Sequence, residues 1–154
     1  MIFIIVFSVL FLDQLTKLLA TKNILLNQTL PVINNIFHLT LVHNRGAAFG
    51  IFKNQALIFI LISVIIIFVL YRKLKIMKKA RLDITGISFA LILAGAIGNL
   101  IDRMLFGYVI DFLDFRIWPV FNIADSAITI GAILLGVSIL KMDKAQSEKR
   151  KAKG

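Results

Sequence analysis

The sequence predicts an all-α membrane protein with four transmembrane helices and a small sheet at one surface. Three observations predict it. The chain of 154 residues is 59% hydrophobic, where soluble domains are roughly 45–50% apolar, and its mean hydropathy is +0.91. Four stretches approach the ~20 apolar residues that cross ~30 Å of hydrocarbon at 1.5 Å per residue. Most Lys and Arg residues cluster between and beyond those stretches, with Lys17 and Arg103 the exceptions. A soluble protein this small has no interior large enough for so much apolar surface; lipid supplies the surroundings instead.

The spans fall at about 1–21, 55–71, 84–103 and 121–140, all in one domain, 1–154. The first carries Asp13, Gln14 and Lys17. Those polar residues, and a start without a basic run, make it a retained span rather than a cleaved signal peptide. The outer segment 22–54 follows. Phe37, Leu39 and Leu41 alternate there with His38, Thr40 and Val42, a period of two that predicts a strand. Asn44-Arg45-Gly46 supplies turn chemistry, and 47–52 is expected to pair back. The connection 72–81 holds Arg72, Lys73, Lys75, Lys78, Lys79 and Arg81. The segment before the fourth span carries Phe106, Tyr108, Phe112, Phe115 and Trp118, rings suited to a membrane interface. The tail, about 142–154, is polar and basic and is expected to be disordered, in charge contact with anionic lipid.

Basic residues mark cytoplasmic loops. The connection 72–81 and the tail are rich in them, whereas the other two connections hold only Lys22, Arg45, Lys53, Arg103 and Arg116. Both termini are therefore expected in the cytoplasm, with 22–54 and 103–120 outside. The same clustering assigns the net charge of +10 to topology, so no nucleic-acid partner is expected. There are no cysteines, which excludes a thiol nucleophile and thiolate metal sites. His38 and His43, five apart on a strand, are expected on opposite faces, so a shared metal is not expected. Ser126 has no intramembrane histidine to activate it. No cofactor is expected.

An ionisable group at mid-bilayer costs about 2.5–3.5 kcal/mol on insertion scales and is a functional candidate by default. Asp13 and Lys17, one helical turn apart, can pair and lock the first helix to its neighbours. Asn99, Asp102 and Arg103 share one side of the third helix, near the small residues Ala94, Gly95 and Gly98 that permit close packing. Asp102 can pair with Arg103 or another base, or orient a partner. Asp111 lies in an apolar outer setting, and Asp125 lies one turn into the fourth helix with Asn122 on its face. Spacing alone leaves Asp111 and Asp125 as either a pair or two unrelated interfacial acids. Close carboxyls do not both ionise readily and titrate in separated steps. The ionised one can take a proton from water, and the protonated one can bond a scissile carbonyl. A proton-coupled carrier is disfavoured because the second span has only Ser63 between Ala56 and Val69. A purely structural membrane subunit predicts that Asp→Asn changes harm assembly first.

The blocks D-Q-x-x-K at 13–17, N-R-G-A-A-F at 44–49, G-N-L-I-D-R at 98–103, V-I-D-F at 109–112 and F-N-I-A-D at 121–125 occur in the order seen in the lipoprotein signal peptidases, which this chain resembles. One small departure is Ala94-Gly95, where that family often has Gly-Gly. The resemblance implies an intramembrane aspartic endopeptidase of the bacterial cytoplasmic (inner) membrane, multi-pass, with its active site at the extracytoplasmic face. It implies a small extracytoplasmic β-cradle and a short extracytoplasmic helix, the latter within 111–118. It implies Asp111 and Asp125 as the catalytic dyad. Asn44, Asn99, Arg103 and Asn122 are implied to hold substrate or orient the dyad, with Asp13, Gly46 and Asp102 in supporting positions. The implied partners are lipid-modified prolipoprotein signal peptides, cut just before the lipidated cysteine, and membrane lipids. A monomer is expected. The outer segments 44–52 and 104–118 are expected to cover the site as a lid.

Overall fold

A computed structural model describes residues 2–46, 56–76 and 83–151. Its elements are α1 (Ile2–Asn23), β1 (Thr29–Ile33), β2 (Phe37–Asn44), α2 (Ala56–Ile76), α3 (Ile84–Phe106), β3 (Val109–Asp114) and α4 (Ile123–Lys151). Four helices are long and apolar enough to cross a membrane, each overlapping a span read from the sequence.

α3 is the hub and packs against the other three helices. Of its spanning stretch, 56% is buried inside the protein, against 11% for α2. Small residues permit this. A Cβ on Gly95 would strike the Ala124 carbonyl oxygen of α4, and one on Gly98 would lie 2.5 Å from Asp13 Oδ2 of α1. Lipid tails give helices no hydrophobic reason to associate, so close backbone approach and polar contacts hold such a bundle. Capping fixes the ends of α3. Asp83 accepts a bond from Gly86 N–H at 2.8 Å, and Gly107 closes the helix in the left-handed region at φ 76°, where glycine lacks the Cβ penalty.

The sheet sits at the bundle end where α1 and α3 finish and α4 begins. Its order is β1-β2-β3, antiparallel throughout. Asn35, at φ 61°, turns the β1–β2 hairpin; a short polar side chain tolerates that conformation. Pro31 lies in β1, an edge strand, where its missing N–H is harmless. Leu41 of β2 and Ile110 and Phe112 of β3 pack with Ala20 and Ile24 at the end of α1, which seats the sheet on the bundle.

Three sequence expectations are revised or left aside. The 111–118 segment is not a helix: it begins as β3 and ends in bends, because Val109, Ile110 and Phe112 suit a strand and β2 offers a ladder. Among the described residues no helix exists besides the four. The tail is not structureless from 142, since α4 continues to Lys151. Met142, Lys144, Glu148 and Arg150 are good helix formers, and extending a helix already nucleated needs no new nucleus. The pairing expected for 47–52 lies outside the described residues, as does that part of the expected lid.

Candidate active site

Polar residues from α1, α3, β3 and α4 meet at the sheet end of the bundle in two adjoining clusters. Lys17 centres the first. Its ammonium lies 2.8 Å from Asp13 Oδ2 and 2.9 Å from Asp102 Oδ2, and it is 2% exposed. It donates a third bond to Asn99 Oδ1 at 3.2 Å, so all three of its donors are used. The carboxylates are satisfied too. Asp13 Oδ1 accepts from Ala124 N–H at 2.8 Å, an N–H of the first turn of α4 that has no partner within its own helix. Asp102 accepts from Ile110 N–H at 3.0 Å and from Gln14 Nε2 at 3.1 Å. Asp102 therefore pairs with Lys17 of another helix rather than with its neighbour Arg103.

Asn122 and Asn99 join this cluster to the second. Asn122 is the N-cap of α4, and its Oδ1 accepts from Asp125 N–H at 2.8 Å. The Asp125 carboxylate reaches back to Asn122 N–H at 3.3 Å. The reciprocal pattern is that of a capping box, with Asp in the position usually held by Glu or Gln. The two N–H groups of the Asn122 amide are shared among Asp111 Oδ1 at 2.7 Å, Asn99 Oδ1 at 3.1 Å and Ile110 O at 3.2 Å. Because Asn99 Oδ1 faces Lys17, its Nδ2 must face the other way, and it donates to Asp125 Oδ1 at 2.8 Å. One side chain, Asn122, thus touches both Asp111 and Asp125.

Asp111 is buried in β3. Its second oxygen accepts from Asn44 Nδ2 at 2.9 Å, and Asn44 is itself held by Gly46 N–H at 3.1 Å. Burial pushes the Asp111 carboxyl up from 3.8 to about 7, and the charge of Asp125 pushes the same way. The bonds from Asn44 and Asn122 and the charge of Lys17 oppose the rise without cancelling it. Asp111 and Asp125 have amide donors but, among the described residues, no cation in direct contact. Asp125 also borders an apolar cleft of about 500 Å³ between α4 and the 115–121 segment.

The structure brings together Asp13, Asn44, Gly46, Asn99, Asp102, Asp111, Asn122 and Asp125. Arg103 joins the site through the Asn99 carbonyl, to which it donates at 3.4 Å, and its guanidinium lies 5.1 Å from the Phe59 ring of α2, a cation–π distance. Sequence reasoning counted Lys17 only as a partner of Asp13; its reach to α3 and its hold on Asn99 were missed. A lysine within an apolar span was the available signal.

Known proteins are similar to this chain in sequence and in fold. A family model described as Signal peptidase (SPase) II matches residues 5–141. A lipoprotein signal peptidase of Halothermothrix orenii is 46% identical over 144 residues, covering 94% of this chain and 98% of the relative. One from Caldanaerobacter subterraneus subsp. tengcongensis is 51% identical over 138 residues, covering 88% and 93%. A bacterial membrane enzyme solved by the in meso method at 2.3 Å matches with TM-score 0.83 at 36% identity, covering 91% of this chain and 87% of that one. A match over nearly the whole chain, on a shared four-helix scaffold, shows that this protein belongs to the signal peptidase II family of membrane peptidases.

Proposed function

We propose that this peptidase removes signal peptides from diacylglyceryl-modified prolipoproteins by aspartic chemistry at Asp111 and Asp125, cutting before the lipidated cysteine. The observation that carries the reading is the bridge at Asn122, which bonds Asp111 and caps Asp125, together with the absence of any cation in direct contact with either carboxylate among the described residues. The lipoprotein signal peptidases to which the chain is similar supply the substrate class.

The mechanism follows from the two environments. Asp111, with its carboxyl near 7, keeps its proton around neutrality and hydrogen-bonds the scissile carbonyl oxygen. Asp125 acts as base. It takes a proton from water as the water oxygen bonds to the carbonyl carbon, and Asp111 passes its proton to the carbonyl oxygen. Asp125 then protonates the leaving nitrogen as the C–N bond breaks. Asp111 recovers a proton from the hydroxyl as the carbonyl reforms, which restores the dyad. Asn99 and Asn122 hold Asp125 by neutral donors, which fixes the direction of its carboxylate.

The basic loops support a reading in which both termini lie in the cytoplasm and the sheet end lies outside a bacterial cytoplasmic membrane. A signal peptide, itself an apolar helix, reaches that end sideways from the lipid, and the lipidated cysteine keeps the scissile bond at the surface. The enzyme acts as a monomer. The test is cleavage of a diacylglyceryl-modified precursor by wild type and by Asp111→Asn, Asp125→Asn and Asp102→Asn, each scored for protein in the membrane. Loss of cleavage in the first two with normal insertion is expected. Full activity in Asp111→Asn alongside an inserted but inactive Asp102→Asn would move the dyad to Asp102.

A further inference from the structure

The cleft beside Asp125 serves no step of the chemistry described so far. It is lined by Phe115, Trp118, Phe121, Asp125, Thr129 and Ile130, among others. Asp125, Ser126, Thr129 and Ile130 recur at helical spacing and form one face of α4; the 115–121 segment forms the opposing wall. Trp118 is 64% exposed and Ile130 51%, so the cleft opens to the outside of the bundle, where lipid lies.

We propose that this cleft is an acyl-chain subsite: it receives one fatty chain of the diacylglyceryl group on the substrate cysteine. The inference rests on the proposed function above. Asp125 itself lines the cleft, so a group attached next to the scissile bond lies within reach of it. Its volume is about 500 Å³. A helix 10–12 Å across would fill that with roughly four residues, so the cleft holds no more than one or two turns of a signal-peptide helix, whereas it suits a single acyl chain. Among the described lining residues the one charged side chain is an acid. An anionic phospholipid headgroup finds no cation there and meets a carboxylate instead, while an uncharged chain meets mostly apolar walls. A chain already dissolved in the bilayer enters without crossing water.

The occupant makes α4 residues 129–130 length sensors. Wild type is compared with Thr129→Trp and Ile130→Trp on precursors carrying butyryl, octanoyl or palmitoyl chains. Filling the cleft lowers kcat/KM for the palmitoyl substrate at least tenfold, chiefly through KM, and moves the butyryl substrate by less than threefold. An equal loss at every chain length, or no loss at any, overturns the proposal. A measurement on unmodified enzyme stands beside this, in case the variants do not insert. A diazirine at the end of the substrate acyl chain should cross-link within 115–130. Labelling instead of the apolar cleft lined by Thr16, Ala20, Leu39 and Phe112 would overturn it. So would equal labelling of 115–130 by a diazirine phospholipid that excess substrate fails to displace. Failure of wild type to cleave any lipidated precursor would sink the functional reading itself; cleavage indifferent to chain length sinks only the subsite.

Discussion

Asp102 and Asp111 stand nine residues apart, and each is 1% exposed, yet they live in opposite electrostatic settings. Asp102 shares the Lys17 ammonium with Asp13 and accepts a backbone N–H besides. Asp111 receives two side-chain amides and looks toward a second acid. Burial of a charge is tolerable where a cation and hydrogen bonds replace water, and otherwise the group holds its proton. The contrast separates two jobs for one residue type. The compensated acids tie α1 to α3 and to the start of α4, and the pair without a contacting cation is the one proposed to react. Asn99 and Asn122 connect the two, so the structural cluster also sets the orientation of the reactive one.

Breaking the compensated side carries the largest effect. Lys17→Met leaves Asp13 and Asp102 buried without their cation, a type of change that costs about 3–5 kcal/mol. Protein recovered in the membrane should fall sharply, and any that remains should melt much lower. Combining Lys17→Met with Asp102→Asn removes one charge of each sign and should restore part of that loss. A Lys17→Met protein with wild-type thermal stability would show that the ion pairs contribute nothing.

On the uncompensated side the effects run the other way. Asp111→Asn should lower kcat about 10²–10⁴-fold, the usual contribution of a positioned acid or base, without destabilising the protein. The sign of the pH linkage is definite. Between about 4 and 7 an unfolded chain has already released the Asp111 proton, whereas the folded one retains it. Wild type therefore loses stability as pH rises through that window, and the loss is complete above about 7. Asp111→Asn lacks that loss, so its melting temperature should gain on wild type from pH 4 to pH 7 in parallel thermal melts. A constant difference across the range would contradict the elevated carboxyl. Wild-type cleavage should also decline above about pH 7, as Asp111 loses the proton it donates.

The four spans were legible because an apolar run of the right length is a local signal, and the alternation around Phe37–Val42 was legible for the same reason. The partners were not. β3 pairs with β2 from more than sixty residues away, and a Val-Ile-Asp-Phe run gives no local sign of which strand it will meet. The short helix expected within 111–118 came from the family resemblance alone, and the strand that stands there depends on that distant partner. Asn122 and Asp125 were chosen for sharing a helix face, but their reciprocal capping depends on where α4 begins. Lys17 was read as the mate of Asp13 because i,i+4 spacing is visible in a sequence. Its reach to Asp102 and Asn99 depends on the crossing of α1 and α3, which no spacing encodes.

Gly98 tests that crossing with a smaller change. A methyl there would meet the Asp13 carboxylate oxygen at 2.5 Å, closer than the atoms can approach. Asp13 is held from two sides, by Lys17 and by Ala124 N–H, and has little freedom to yield. Gly98→Ala should cost about 1–3 kcal/mol, the usual range for overpacking, read as a lower melting temperature. If it melts like wild type, α1 and α3 separate more readily than the ion-pair cluster suggests.

Asn44→Ala gives the smallest effect and the sharpest discrimination between the two regions. The Asn44 bond favours the ionised form of Asp111 and so pulls its carboxyl down. Removing it should let that carboxyl rise further and move the alkaline fall in cleavage to higher pH, by about one unit or less. Stability should drop by about 1 kcal/mol, the ordinary worth of such a bond. That loss should be larger at pH 8, where Asp111 is ionised and needs the donor, than at pH 5, where it carries its own proton. If Asn44 merely joins β2 to β3, the melting temperature falls equally at both pH values and the alkaline limb stays where it was. A side chain from the sheet would then support the strand and leave the proton on Asp111 to burial and to Asp125 alone.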